Sequence, residues 1–129
     1  YSTADALGQL AANTADPLRK ASYLTKSGSP QQAEKVLAEA IASSENDKER
    51  TRAAKQLLAL VSGRAESLAR DGKLPAALQA MDAVRDLLAN RTVRLNWHLA
   101  RIEICKDAGD MRAHETEQQS LYDYMEGRG

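Results

Sequence analysis

The feature that most constrains this chain is a segment that occurs twice, at residues 21–40 and 65–84. When Gly28 is aligned with Gly72, the small and apolar positions on both sides match in kind. The matched pairs are Ala21 with Ala65, Leu24 with Leu68, Ala33 with Ala77, Leu37 with Met81, and Ala40 with Val84. Apolar residues at helical spacing on both sides of a glycine indicate a helix, a tight turn and a second helix. The repeat predicts an all-α protein built of stacked antiparallel helical hairpins.

Start and stop signals along the chain predict about seven helices. The predicted starts are Ser2 or Thr3, Asp16-Pro17, Ser29-Pro30, Asn46 or Asp47, Pro75, the break at Asn90 to Thr92, and Gly109-Asp110. Gln32 gives the Ser29 start the pattern of a capping box. We expect one long helix over residues 47–71, although Gly63 lies inside it, because no proline or capping box follows that glycine. The apolar spacing predicts that the helix after Pro75 continues to Leu88.

One segment, residues 93–105, has two interpretations. Val93, Leu95, Trp97 and Leu99 alternate as in a strand, whereas Val93, Trp97 and Ile104 also lie at helical spacing. A single strand would have no partner for its backbone hydrogen bonds. We therefore interpret this segment as a helix with neighbours on two sides.

Charge and composition exclude several classes of protein. The chain has 18 Lys and Arg against 18 Asp and Glu, so its formal net charge is zero and nucleic acid is not an expected partner. No stretch reaches the roughly 18 apolar residues of a membrane span, so we expect no direct membrane insertion. The single Cys105 cannot form an internal disulfide. One domain over residues 1–129 is the expectation for this length, and a start at Tyr1 suggests a piece of a longer chain.

A period of roughly 34 residues with helix–turn–helix units is typical of tetratricopeptide repeats, and this sequence resembles that family. The first unit is similar at Ala21, Leu24, Gly28, Ala33, Leu37 and Ala40, and the second at Ala65, Leu68, Gly72, Ala77, Met81 and Val84. The early aromatic of the family falls on Pro17 and Val61, and its closing proline on Glu45 and Ala89. A third unit aligned on Gly109 places His114 and Gln118 where a small and a large apolar residue belong.

The resemblance implies a curved α-solenoid whose first helices line a groove that binds a protein partner. Carried over position by position, this groove includes Leu18, Ser22, Thr25, Lys26, Ser62, Glu66, Ala69 and Arg70. The family members that bind C-terminal carboxylates use Lys and Asn at groove positions that are Leu18 and Ser22 here. The resemblance therefore does not imply that chemistry.

A second candidate site is a basic stripe at Arg91, Arg94, His98 and Arg101. At 100° per residue these side chains share one side of a helix. The stripe is suited to an acidic partner, an anionic polysaccharide or phosphate. The alternative is a solvated face with ion pairs to nearby acids, for which Asp86 and Glu103 are close enough in sequence.

The candidates for chemistry are weak, and we predict no enzyme, no catalytic residue, no metal site and no cofactor. His98 and Cys105 lie about 10.5 Å apart along a helix at 1.5 Å per residue, too far for a nucleophile–base pair. His98 and His114 with Glu115 and Glu117 lack the tight spacing of a metal site, so we expect them to be surface residues. Cys105 is expected to be a small buried residue.

Tyr122, Tyr124 and Met125 have two interpretations, an exposed surface for another repeat or ordinary packing onto Trp97 and Ile104. The function expected from the sequence is a non-catalytic scaffold that binds protein partners, with self-association through terminal repeats as a further possibility. Two alternatives are a repeat segment of a bacterial envelope or exopolysaccharide secretion machine and a helical ligand-sensing regulatory domain. The trimmed start and the Ala- and Arg-rich composition favour a bacterial periplasm or cell envelope slightly over the cytoplasm.

Overall fold

The computed structural model describes residues 2–128, and over these residues the regular structure is entirely helical, as predicted. The seven α-helices are α1 (Thr3–Asn13), α2 (Pro17–Lys26), α3 (Pro30–Ser43), α4 (Asp47–Arg70), α5 (Leu74–Asp82), α6 (Arg91–Asp107) and α7 (Met111–Met125). A short 3₁₀ turn, Arg85–Leu87, follows α5. Residues 93–105 belong to α6, so the helical interpretation of that segment is confirmed.

The chain divides into two compact units, Tyr1–Leu60 and Val61–Gly129, which we call unit 1 and unit 2. In unit 1, α2 packs against α1 and α3, and Gln56 of α4 donates a 3.2 Å hydrogen bond to the carbonyl oxygen of Leu18. In unit 2, α6 packs against α5 and α7. Because the chain has no Phe, the core of unit 1 consists of Ala, Leu and Ile: Ala11, Ala21, Ala33, Leu37, Ile41, Ala53, Ala54, Leu57 and Leu58.

Short polar side chains cap five of the helices, at or beside the predicted starts and breaks. The side chains of Ser2, Asp16, Asn90 and Asp110 each accept a hydrogen bond from a backbone N–H in the first turn of α1, α2, α6 and α7. Asn46 does the same for α4, where its Oδ1 lies 2.9 Å from the nitrogen of Lys48. Short polar side chains satisfy N–H groups that have no partner within the helix, so local sequence sufficed for these starts.

The capping box predicted at Ser29 does not form. Ser29 begins α3 with ψ of 58°, and its side chain makes no capping hydrogen bond. A capping side chain requires a more extended backbone than this to meet the first N–H groups of the helix. The Ser29 N–H instead donates to the carbonyl oxygen of Leu24 at 2.8 Å, so the preceding turn determines the conformation of this residue.

That turn occurs in the same form at Gly28, Gly72 and Gly109, each of which has a positive φ. At Gly72 the glycine N–H donates to Ala69, three residues back, and the next N–H, of Lys73, donates to Leu68, five residues back. This pair of bonds is the Schellman motif, which ends a helix with a left-handed residue. The glycine positions taken from the repeat are therefore the turns between paired helices.

The helix after Gly72 is shorter than predicted, because α5 ends at Asp82 rather than Leu88. A continuing helix would use the carbonyl oxygen of Met81 to accept the N–H of Arg85. Here the Met81 oxygen accepts from Nε1 of Trp97 on α6 at 2.8 Å and from the N–H of Val84, three residues along, at 3.3 Å. The chain then tightens into the 3₁₀ turn, which still leaves Val84 and Leu88 buried. α5 thus ends at the point where Trp97 is hydrogen-bonded to it.

The α4 helix runs without a break from Asp47 to Arg70, so the prediction of one long helix is confirmed. Within residues 2–128, none of the helices combines the length and the apolar character that a bilayer crossing requires. This finding agrees with the expectation of no direct membrane insertion.

Replacing Gly63 or Gly72 with alanine should change the free energy of unfolding in opposite directions. A Cβ added to Gly63 or Gly72 meets no atom within 4 Å, so only the backbone conformation differs between the sites. Gly63→Ala should raise the free energy of unfolding by about 0.5–1 kcal/mol, because Gly63 lies inside a helix. Gly72→Ala should lower it by about 1–2 kcal/mol, because Gly72 has φ of +78°. Urea denaturation followed by circular dichroism measures both, and a change of the same sign at both sites would contradict this account.

Candidate functional site

The most unusual feature of unit 2 is a buried arginine that joins three helices. Arg101 of α6 donates from Nε and Nη2 to the two carboxylate oxygens of Glu117 on α7, both at 2.8 Å. Its Nη1 donates to Asp82 at 2.8 Å and to the carbonyl oxygen of Leu78 at 3.0 Å, both on α5. Arg101 and Glu117 are each only 7% exposed. A two-bond pair of this kind fixes both the distance and the orientation of its partners.

The surroundings of Arg101 keep it charged. Burial alone would lower the pKa of Arg101, but the hydrogen bonds and charge of Glu117, together with Asp82, raise the pKa above its usual value. The guanidinium also lies over the ring of Trp97, 4.7 Å from its centroid. Burying a charge is costly unless it is paired and hydrogen-bonded, and Arg101 has both kinds of partner.

This charged pair occupies the sequence positions at which the other two hairpins have apolar residues. Glu117 follows Arg101 by the same number of residues that separate Leu37 from Ala21 and Met81 from Ala65. The four apolar residues are all 0% exposed. We can therefore align the third hairpin with the first two by placing Arg101 on Ala21 and Ala65. In this alignment Gly109 falls one residue later than Gly28 and Gly72 do.

His98 is also buried rather than on the surface. It is 2% exposed, and neither ring nitrogen has a hydrogen-bond partner. Its ring lies against Trp97 and Tyr124, with centroid separations of 4.8 and 5.1 Å. Burial lowers the pKa of His98 to about 4, and the charges of Arg94 and Arg101 act in the same direction while Glu117 opposes them. His98 is therefore neutral in the folded protein at neutral pH.

The basic stripe continues towards the start of α6 with Arg94 and Arg91. The guanidinium of Arg94 lies over two rings, 5.0 Å from the centroid of Trp97 and 4.8 Å from that of Tyr124. Arg91 lies over the same tyrosine at 5.6 Å. Arg94 is half-buried, and its Nε is buried without an acceptor. Burial lowers the pKa of Arg94, and the nearby charge of Arg85 adds to this effect.

The predicted stripe therefore lies on one side of a helix, but it is not the solvated face that was the alternative. His98 and Arg101 are buried, Arg94 is half-buried, and Arg91 is exposed. The acids that pair with Arg101 are Asp82 and Glu117 instead of the predicted Asp86 and Glu103. Asp86 pairs with Arg85 at 3.4 Å. The acids differ because the packing of α5 and α7 against α6 brings Asp82 and Glu117 to Arg101.

The predicted groove residues fall into two sets. Leu18, Ser22, Thr25 and Lys26 lie on α2 in unit 1, and Ser62, Glu66, Ala69 and Arg70 lie on α4 in unit 2. In the second set, Glu66, Ala69 and Arg70 line a cavity of about 160 Å³ together with the last turn of α6. In the first set, Leu18 lines a cavity of about 660 Å³ with polar residues of α3 and α4. The groove that would include both sets stays a prediction.

Cys105 is fully buried, as predicted, and burial raises the pKa of its thiol to about 11. Its sulfur is therefore a protonated thiol at neutral pH, which is a poor nucleophile. His98 and Glu117 are also buried, whereas the sequence had indicated surface residues. Over residues 2–128, the acids, histidines and cysteine form no group of three or more that could hold a metal ion.

The three residues at the end of α7 divide between the two predicted interpretations. Tyr124 packs towards His98, whereas Tyr122 and Met125 are 57% and 50% exposed.

Sequence reasoning missed Glu117 and Asp82 as the partners of Arg101. The constant separation between paired helix positions, from Ala21 to Leu37 and from Arg101 to Glu117, is the signal that identifies Glu117.

Comparisons with protein families, with curated proteins and with solved structures found no match for this chain. The residues and their geometry therefore carry the functional argument.

Removing one member of the buried ion pair should be more harmful than removing both. Glu117→Leu leaves Arg101 buried with only part of its hydrogen bonding, which should lower the free energy of unfolding by about 3 kcal/mol. Adding Arg101→Met to that variant restores an apolar pair like Ala65 and Met81, and should recover at least half of the loss. Urea denaturation of the two single variants and the double variant measures the coupling. Strictly additive losses would contradict the pairing.

The stability of unit 2 should fall in mild acid because of His98. Since the folded-state pKa of His98 is about 4 and its ordinary value is 6.5, the unfolded chain binds the proton more readily between these values. The contribution is complete above pH 6.5 and is lost as the pH falls towards 4, by an amount on the order of 2 kcal/mol. His98→Phe removes the titration and should flatten the dependence of the free energy of unfolding on pH in this range. An unchanged slope in this variant would contradict the assignment.

Proposed function

We propose that this chain is a non-catalytic helical scaffold that binds a partner protein. The observation that carries the proposal is a set of large apolar side chains exposed along α7. Met111, Tyr122 and Met125 are 60%, 57% and 50% exposed. At 100° per residue they lie within about 60° of each other around the helix. We call these three residues the α7 face.

The rest of α7 explains why these residues do not serve the core. Glu117 and Tyr124 lie on the side of α7 that contacts α6, where they meet Arg101 and His98.

Tyr122 and Met125 are neighbours one turn apart, whereas Met111 lies about 16.5 Å from Tyr122 along the helix axis, with the exposed Glu115 and Gln118 on the same side between them. Single exposed apolar side chains are common on protein surfaces, but two large ones side by side support a contact surface. Tyr and Met are also among the residues enriched where proteins bind each other.

A helical-hairpin fold supports the same proposal. Turns such as Gly109 fix the relation between paired helices, so the outer side of a helix is held as a preformed surface. Preformed surfaces lose less conformational entropy on binding than flexible segments. The resemblance to tetratricopeptide repeats implies the same class of function, although it places the contact on the predicted groove rather than on the α7 face.

Site-specific photo-crosslinking in cells that make the protein tests the proposal. Tyr122→benzoylphenylalanine should give a discrete crosslink to another protein, and the same replacement at exposed Gln79 of α5 is the matched control. Met111→Gln with Met125→Gln should reduce the crosslink by about tenfold, because two apolar contacts are lost. Equal crosslinking from Tyr122 and Gln79, or none from either, would contradict the proposal.

Two further results of that experiment distinguish the alternatives. A crosslink between two copies of this chain would show that the α7 face mediates self-association instead of binding a different protein. Sedimentation equilibrium would then measure that self-association directly. Alanine substitutions at Lys26, Glu66 and Arg70 test the predicted groove. A partner lost with these substitutions and retained with the Met111 and Met125 substitutions would assign binding to the groove and not to the α7 face.

A further inference from the structure

Two arginines at the start of α6, Arg91 and Arg94, make no ion pair within residues 2–128, although the charge of Asp86 is close enough to raise the pKa of Arg94 against the larger effect of burial. Arg101, one end of the stripe, is paired with Glu117 and Asp82, and Arg85 is paired with Asp86. Within the described part of the chain, Arg91 and Arg94 make no ion pair, and their recorded partners are the rings of Tyr124 and Trp97. The stripe thus ends in two cations available for another anion.

The position of these cations is unfavourable for the stability of the helix. Arg91 is the first residue of α6, Arg94 lies one turn later, and the first turn contains no acid. The N-terminus of a helix carries a partial positive charge, so acids stabilise it by about 0.3–1 kcal/mol each and cations oppose it. An anion bound at this end would therefore interact favourably with both arginines and with the helix itself.

Arg94 is already held in position for such an anion. The rings of Trp97 and Tyr124 lie against its guanidinium at 5.0 and 4.8 Å, and its buried Nε has no acceptor. Because this Nε is shielded from solvent, an incoming carboxylate would meet the two Nη groups of Arg94. The planar guanidinium presents paired N–H donors that fit the two oxygens of a carboxylate.

We propose that Arg91 and Arg94 bind carboxylates of an acidic segment in the partner protein. This proposal rests on the proposed function and names the chemistry of the partner. Nucleic acid fits less well, because binding to it is dominated by Lys and Arg contacts with many phosphates, whereas this chain has zero net charge and two unpaired arginines at the site. A short acidic peptide places two carboxylates at the spacing of Arg91 and Arg94, which are three residues apart on one helix.

Trp97 provides the measurement, because it is the only tryptophan and Arg94 lies against it. Hexaglutamate should change the Trp97 fluorescence in a saturable way at low salt, whereas hexaglutamine should not. Arg94→Gln and Arg91→Gln should each weaken the affinity for hexaglutamate about tenfold. Arg112→Gln, an exposed arginine on α7, is the matched control and should leave the affinity unchanged.

Several outcomes would overturn the proposal. Equal binding of hexaglutamate and hexaglutamine is one, and equal binding by the wild type and Arg91→Gln is another. Arg91 is exposed, so its variant tests the site even if Arg94→Gln fails to fold. Tighter binding of inorganic phosphate or of an oligothymidylate than of hexaglutamate would assign the site to phosphate instead.

Failure here can be separated from failure of the proposed function. If a partner still crosslinks at Tyr122 and the yield of that crosslink is the same with Arg91→Gln, the scaffold function stands. The proposal that the arginines bind an acidic segment is then wrong. If hexaglutamate binds at Arg94 while Tyr122 crosslinks nothing, the anion site stands and the α7 face is wrong.

Discussion

The ion pair between Arg101 and Glu117 determines how α6 and α7 can meet. Apolar side chains such as Leu37 tolerate small shifts of one helix along another, because contact with any neighbouring methyl group is nearly equivalent. A buried carboxylate facing a guanidinium has no such freedom, since a shifted position leaves both charges without full partners. The third hairpin thus has a hydrogen-bonded ion pair, which permits one helix position, where apolar residues would permit small shifts. The neighbouring ring contacts of Trp97, His98 and Tyr124 all occur where this pair fixes the two helices.

α6 also contacts α5 close to the point where α5 ends. Arg101 and Trp97 both reach carbonyl oxygens of α5, those of Leu78 and Met81. Local sequence predicts a helix as far as Leu88, and no proline or glycine interrupts residues 76–88. Helix propensity per residue is small, so local sequence alone does not fix the end of α5 where α6 contacts it. The 3₁₀ turn that results brings the chain to Asn90, which caps α6.

Sequence reasoning succeeded where the physical cause is local. Asp16 was identified as a helix start because a capping side chain bonds only to the next few residues, and Gly72 was identified because a left-handed turn requires glycine. It failed where a distant residue decides. Ser29 does not cap α3, since the preceding turn holds its backbone. The stripe from Arg91 to Arg101 was placed correctly around the helix, but its burial depends on Glu117 and Tyr124 of α7.

The repeated glycine turns have a consequence for how the chain folds. At Gly28, Gly72 and Gly109, the hydrogen bonds that close each turn join residues no more than five apart. Each turn then brings together two helices that are adjacent in sequence, so the loop to be closed is short and its entropic cost is low. Chains dominated by such local contacts fold in microseconds to milliseconds. The directional pairing of Arg101 with Glu117 joins helices on either side of Gly109, so even this most specific contact lies within one hairpin.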